Sequence, residues 1–483
     1  MRHPLPLLKE RGNGEGSRLT EMDMNQVKEE ILKDPILFKV SIQAKEKKIP
    51  LFLVGGYLRD LLIGIRGKDY DFTLPKDFSF FIGAIEEALG LHFFKVGREE
   101  MNTVTYRIIR EEMSIDLTFL QGESIEADLR RRDFTINAIA FSLQDETFHV
   151  VERSLEDIDK KLIRAVSNDS IDQDPLRMLR AIRYFCTLNG FIMDEKLKEE
   201  ISLKKEKILS LPGERIKMEL DQILLSPRPA IGMESLYESN LLLTLFPEFR
   251  GLENIHQGNH HHLNVLPHVL LMIGKVSWAF EWIAHRGMRI ALTEEDRLSL
   301  YYAALFHDIG KQDTVSADDG GKVHFYYHES YSCQRAEGIM EKLRFSNHLK
   351  NRILRLIQHH MRILNMPRET KEGALKRLVN QMGEETPLLV LHTLADKEAS
   401  RGILSVQIDE VVEDHCLKIL DFFREKDIVH PPPLITGHDV MFLGYLPGPL
   451  VGQILNYIRQ KQVEGEIKNR DEALKMLREK FPA

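Results

Sequence analysis

Cysteine is scarce in this 483-residue chain: Cys186, Cys333 and Cys416 are the only three, and they lie far apart. So few thiols exclude a disulfide scaffold and a thiolate zinc site, and they fit a reducing compartment. Long apolar runs are missing too, for no stretch approaches the roughly 20 residues needed to cross a membrane. The first twenty residues, MRHPLPLLKERGNGEGSRLT, lack the apolar centre of a secretory signal, so a cytoplasmic chain with no membrane partner and a frayed extension over residues 1–23 is expected. Nor is there an excess of positive charge. With 66 Lys+Arg against 74 Asp+Glu the net charge is −8, which excludes a wholly basic nucleic-acid coat but permits local basic surfaces that grip RNA.

Against these absences, 43% hydrophobic and 29% charged residues describe a folded protein, and the length is about three times a usual domain of roughly 150 residues. Several domains are expected. Nineteen histidines are a surplus that raises the question of a metal site.

From Met24 to about Lys48 the apolar spacing predicts one or two short helices. The segment LFLVGGYLRDLLIG at 51–64 is then a strand, a two-glycine turn and a helix, followed by a strand over Asp69–Leu74 and a helix over about Phe80–Leu89. VTYRII and SIDLTFL alternate as two further strands, and a hairpin runs through Phe148 and Val150. Beyond about Leu155 strand signals nearly vanish, and helices follow one another between Pro, Gly and Asn punctuation. The expected fold class is therefore an α+β head, a mixed sheet with helices, followed by an elongated, predominantly all-α body.

Gly55 and Gly56 let phosphate approach the backbone N–H groups of the helix that follows, although two glycines alone equally fit an ordinary tight turn. In KDYDF, Asp69 and Asp71 stand two apart in a strand, so both carboxylates share one face and can hold a divalent metal between them. Asp116, inside SIDLTFL, either completes that cluster or is a strand-edge carboxylate bonded locally. In DLRRRDFTINAIAF at 128–141, Arg132 can neutralise phosphate oxygens while Asp133 and Asn137, four apart on a helix face, orient a sugar or triphosphate. The same tract also fits a plain charged helix start.

Together, LFLVGGYLRDLLIG, KDYDF, RRRDFTINAIAF and DPLRMLRAIRYF resemble the bacterial-type tRNA nucleotidyltransferase/poly(A) polymerase family, whose heads belong to the DNA polymerase β superfamily. The resemblance implies transfer of a nucleoside monophosphate from CTP or ATP to an RNA 3′ hydroxyl, with pyrophosphate leaving and Mg2+ held by Asp69 and Asp71. It also puts Arg59 among the nucleotide contacts.

In QDPLRMLRAIRYF, Asp174 is expected as an N-cap with Pro175 at the first helical position, and Asp174 and Arg177 reach the same side. Local pattern alone reads them as a cap and a surface arginine. The resemblance makes them the protein template for the incoming base, with Arg180 and Arg183 either contacting phosphate or the acceptor end, or paired at the surface. The family commonly has Glu before that Asp. This chain has Gln173, which leaves nucleotide preference open.

His268 opens an apolar helix, ALFHDIGK at 304–311 embeds His307 and Asp308 at the end of another, and Asp396 lies in LHTLADKEA. This series resembles the HD phosphohydrolase domain, which implies one divalent metal (Mg2+, Mn2+, Ni2+ or similar) and metal-activated attack of water on a phosphate ester. His328 and His359 match additional ligand positions, with His360 as the alternative to His359, since adjacent helical residues point about 100° apart. The run His260–His262 is either a competing metal cluster or a polar approach to the His268 helix. Toward the C-terminus, Lys461, Lys468 and Arg470 fit contacts to tRNA phosphates as well as an ordinary charged helix surface.

The resulting expectation is a head over 24–150, a helical neck over 151–250 with the base-recognition helix, an HD domain over 251–405 and a tRNA-binding tail over 406–483. The expected function is template-independent addition or repair of the tRNA 3′ CCA end, with A-adding, CC-adding and poly(A) enzymes as alternatives. No sequence feature fixes an oligomeric state.

Overall fold

The computed structural model describes residues 21–97, 104–110, 113–258, 262–401 and 410–482. Two compact units, Met1–Leu211 and Pro212–Ala483, divide the chain. The expected extension lies almost wholly outside the described residues, the first of which, Glu21, opens a helix.

The first unit is built on a mixed seven-stranded sheet. Its strands are β1 (Phe52–Val54), β2 (Asp69–Leu74), β3 (Phe94–Val96), β4 (Thr105–Arg110), β5 (Met113–Phe119), β6 (Ile139–Ser142) and β7 (Phe148–Val150), in the order β3-β4-β5-β2-β1-β6-β7. All pairs are antiparallel except β2 with β5. Strand β3 was not expected. Its three residues are exposed, so it carries no burial pattern to read.

Alternation in β2 buries Tyr70, Phe72 and Leu74 and leaves Asp69 and Asp71 on the opposite face. Behind the strand the Tyr57 and Tyr70 rings stack 5.0 Å apart, and both hydroxyls donate to Asp34 Oδ2, at 3.2 and 2.9 Å. Asp34 also caps helix Pro35–Glu46 by accepting from the Ile36 and Leu37 amides. One carboxylate thus ties that helix to the strand bearing the two acids.

Among its described residues, the second unit is helical apart from the short antiparallel hairpin Val315–Ala317 with Val323–Phe325. In the first unit, Leu162–Ile163 pairs in parallel with Ile192–Met193, a second small departure from the all-helical expectation beyond residue 155. Among the described residues, no helix is long and apolar enough to cross a membrane.

Candidate active site and metal centre

In the head, the β2–β5 register sets Asp69 opposite Ser114 and Asp71 opposite Asp116. Asp69 is exposed and accepts from Ser114 Oγ at 2.8 Å. Burial pushes the Asp71 carboxyl up to about 6; Arg132 opposes this, Asp116 and Asp69 add to it, and Arg107 opposes it more weakly. A carboxylate held above its ordinary range beside two others suits a bound cation. Asp116 itself is clasped by Arg107, which donates through Nε and Nη2 at 2.6 Å each. Asp116 thus lies opposite Asp71 and is also bonded by a residue on β4, a partner that no local sequence pattern gives.

Gly55 has φ +75°, and a Cβ there would lie 2.9 Å from Arg132 Nη1, so glycine is what admits the guanidinium to the turn. Arg132 is steadied by Asp128 Oδ2 at 3.3 Å. Asp133 and Asn137 depart from the expected ligand-facing helix. Asp133 precedes and Asn137 ends a short 3-10 turn, Thr135–Asn137, and both are buried. Asn137 Nδ2 donates to Asp133 Oδ1 at 3.0 Å, and Arg180 Nε donates to Asp133 Oδ2 at 2.7 Å. Burial would raise the Asp133 carboxyl, but Arg180, Asn137 and the Phe134 amide bring it down to about 2. Arg59 is likewise buried, donating to Asn137 Oδ1 at 2.6 Å and to Asp60, with Tyr184 beneath its guanidinium. Arg59, Asp133 and Asn137 therefore form an internal brace, because their polar atoms satisfy one another.

That brace reaches the helix Arg177–Thr187 through Arg180. The helix starts later than expected. Asp174 closes the preceding turn Ser170–Gln173 and accepts from the Leu176 amide at 3.1 Å, so Pro175 precedes the helix instead of opening it. Arg177 donates to Ser170 Oγ at 2.8 Å and to Gln173 Oε1 at 3.4 Å. Gln173, the departure from the family pattern, thus touches Arg177 directly. Arg183 lies with Arg180 and Arg59 around the Tyr184 ring.

In the body, five helical segments converge. Val265–His285 carries His268, His307 and Asp308 follow Glu294–Phe306, His328 opens His328–Lys342, His360 ends Asn347–His359, and Thr386–Ser400 carries Asp396. All six side chains are buried. His268 Nε2 lies 3.1 Å from Asp396 Oδ1, and His307 Nε2 lies 3.1 Å from Asp308 Oδ2. His328 Nε2 lies 3.4 Å from Asp308 Oδ1. Ligand atoms of His268, His307 and Asp396, and of His307, Asp308 and His360, fall within 4.8 Å of one another.

Nδ1 of His307, His328 and His360 each sits 2.7–2.9 Å from a backbone carbonyl, of Ala304, Phe325 and Ile357 respectively. Donation there leaves the Nε2 lone pairs of His328 and His360 facing inward, the arrangement in which imidazole binds metal, whereas at His307 the lowering by burial is outweighed by Asp308 beside Nε2, which raises its pKa. His328 Nε2 and His360 Nε2 then face each other at 3.1 Å, a repulsive pairing that a shared cation relieves. Burial and the neighbouring imidazoles push His360 well below its ordinary range, keeping it neutral.

His360, not His359, enters the cluster. His359 is only half-buried, and the helix end fixes a register that two adjacent histidines could not reveal. Two participants were missed. His392, four residues before Asp396 on one helix face, sets its ring 5.2 Å from His307, and its i,i+4 spacing was the available signal. Lys311 Nζ bonds Asp308 Oδ2 at 2.7 Å, again at helical spacing. His260 and His261 lie outside the described residues, and His262 is exposed. In the tail, Lys461 pairs with Glu464 and Arg470 with Asp439, while Lys468 is exposed.

Residues 51–164 match the Poly A polymerase head domain, residues 190–252 the "Probable RNA and SrmB-binding site of polymerase A", and residues 321–477 the tRNA nucleotidyltransferase domain 2. The chain is 32% identical to a CC-adding tRNA nucleotidyltransferase of Thermus thermophilus, over 87% of this chain and 92% of that one. It is 30% identical to an A-adding tRNA nucleotidyltransferase of Deinococcus radiodurans, over 87% and 93%. A solved CCA-adding enzyme in complex with ATP shares the fold, with a TM-score of 0.63 at 20% identity over 96% of this chain and 99% of that one.

Proposed function

Because the chain belongs to the tRNA nucleotidyltransferase/poly(A) polymerase family, we propose that it builds or repairs the tRNA 3′ CCA end from CTP and ATP without a nucleic-acid template. The observation that carries this reading is the pair Asp69 and Asp71 on one face of β2, with Arg132 admitted beside them by Gly55. The RNA 3′ oxygen attacks the α-phosphorus of the nucleotide, a new P–O bond forms, and the bond to pyrophosphate breaks. Asp69 and Asp71 would hold Mg2+, which when bound activates the attacking oxygen and stabilises charge on phosphorus and leaving group. Arg132 faces the phosphates, and Asp174 and Arg177 present the edge that selects the base, with Gln173 adjusting Arg177. The brace of Arg59, Asp133, Asn137 and Arg180 positions this helix against the head. A cytoplasmic setting fits a tRNA substrate.

A second reading, addition of CC alone or A alone, is favoured by the names of the two relatives at 32% and 30% identity. Purified protein offered tRNAs ending before CCA, after C and after CC, with CTP and ATP separately and together, separates these by product length. An open-ended A ladder on unrelated RNA would overturn the tRNA reading.

The body cluster supports a separate phosphohydrolase of the HD type. His268, His307, Asp308, His328, His360 and Asp396 fit one or two divalent ions, which when bound supply an activated water for attack on a phosphate ester such as a 2′,3′-cyclic phosphate. Loss of that hydrolysis in Asp308→Ala tests it.

A further inference from the structure

Asp34 lies at the junction of helices Glu21–Lys33 and Pro35–Glu46, and its two carboxylate oxygens divide their partners. Oδ1 accepts from the Ile36 and Leu37 amides at 2.9 and 3.1 Å and caps the second helix. Oδ2 accepts from the Tyr57 hydroxyl at 3.2 Å and from the Tyr70 hydroxyl at 2.9 Å. A helix cap needs only the first oxygen, so capping leaves the second unexplained.

The two tyrosines belong to different parts of the candidate site. Tyr57 is the second residue of helix Gly56–Leu62, which opens at the glycine turn, whereas Tyr70 stands between Asp69 and Asp71 on β2. Both are buried, and their rings stack at 29° on the side of β2 away from the two acids. The β1–β2 register, Phe52 opposite Thr73 and Leu53 opposite Phe72, carries β1 toward its turn as β2 is followed back toward Asp69. Turn and acids are therefore neighbours at one end of the strand pair. Burial, and then the charge of Asp34, push both hydroxyls above their ordinary range, so each stays a proton donor. A buried hydroxyl must find an acceptor, and these two find the same oxygen. Arg66, just past helix Gly56–Leu62, also pairs with Glu30 of the first helix and holds the Asp34 junction against this part of the head.

We propose that Asp34 is a positioning residue for nucleotidyl transfer: through Tyr57 it sets the glycine turn that receives the triphosphate, and through Tyr70 it sets the strand that presents Asp69 and Asp71. This rests on the roles proposed for the turn and for the two acids. One shared oxygen fixes their spacing. Transfer requires the triphosphate and the acids at a fixed separation, and a misplacement of about 1 Å costs on the order of 100-fold in rate. Neither tyrosine ring faces the acids, so both act through where other groups stand.

The test uses the full chain with tRNA lacking CCA, and CTP binding is measured separately by equilibrium dialysis without RNA or divalent metal. Asp34→Ser keeps a capping oxygen, since serine caps about as well as aspartate, but is too short to reach the tyrosines. Tyr57→Phe and Tyr70→Phe each keep the ring and delete one hydroxyl. Tyr57→Phe raises the CTP Kd and KM about 5- to 20-fold with kcat within about twofold, and Tyr70→Phe lowers kcat about 5- to 20-fold with the CTP Kd within about twofold. Asp34→Ser shows both losses, and adding Tyr70→Phe to it lowers kcat no further, because the two changes remove one linkage. A urea midpoint lowered in all three single variants with kcat, KM and CTP Kd unchanged marks a merely structural tie and overturns the proposal. A double-variant loss of kcat equal to the product of the single losses overturns it as well. Full incorporation by Asp71→Ala overturns the reading of the acids themselves, and the proposal with it.

Discussion

In the head, the two metal-ligand candidates come from one strand, two residues apart, and Asp69 is exposed; in the body, six come from five helical segments and all are buried. The head site follows from strand periodicity and stays open, as a site must that admits both a nucleotide and an RNA end. The body site exists only once the helices pack, and its opposed His328 and His360 nitrogens leave repulsion that a cation removes. A cation held by the body cluster would therefore be coupled to folding.

The largest effect expected on this contrast is Asp71→Ala, which lowers the rate of nucleotide incorporation about 10³-fold in a primer-extension assay with tRNA lacking CCA. Next, Asp133→Ala leaves Arg180 facing a buried void and costs about 3 kcal/mol in urea unfolding of the first unit. Slightly smaller, Mn2+ at about 100 times its Kd stabilises the second unit by about 2.7 kcal/mol in thermal unfolding. His360→Gln removes that gain and His359→Gln keeps it; the reverse result would restore the sequence-based register.

The smallest effect is a pH dependence. Asp133 is held near 2 in the fold, below the ordinary carboxyl value, so its stabilising contribution is full above about pH 4 and disappears as pH falls through about 2. The stability gap between wild type and Asp133→Asn, followed by urea midpoints, narrows over that window and stays constant above it.

The same contrast explains what the sequence made legible. Asp69 and Asp71 were readable because a period of two places them on one face whatever the sheet does next. The partners across the sheet were not: Arg107 reaches Asp116 only through the β4–β5 register, which no local pattern encodes. Asp133 and Asn137 looked like ligand-facing residues, yet burial turned them toward Arg180 and Arg59, the outcome expected where buried polar atoms must be satisfied. In the body, His268, His307, Asp308 and Asp396 stood out as polar residues in apolar helices. The choice between His359 and His360 depended on where one helix ends, and the part played by His392 on how two helices pack.

If head and body are two independent reaction centres, crossed substitutions separate them. Wild type, Asp71→Ala and Asp308→Ala are each assayed for nucleotide addition to tRNA and for hydrolysis of a 2′,3′-cyclic phosphate. Each substitution is expected to abolish its own reaction and to leave the other within about twofold of wild type. A substitution that lowers both reactions together would contradict that independence.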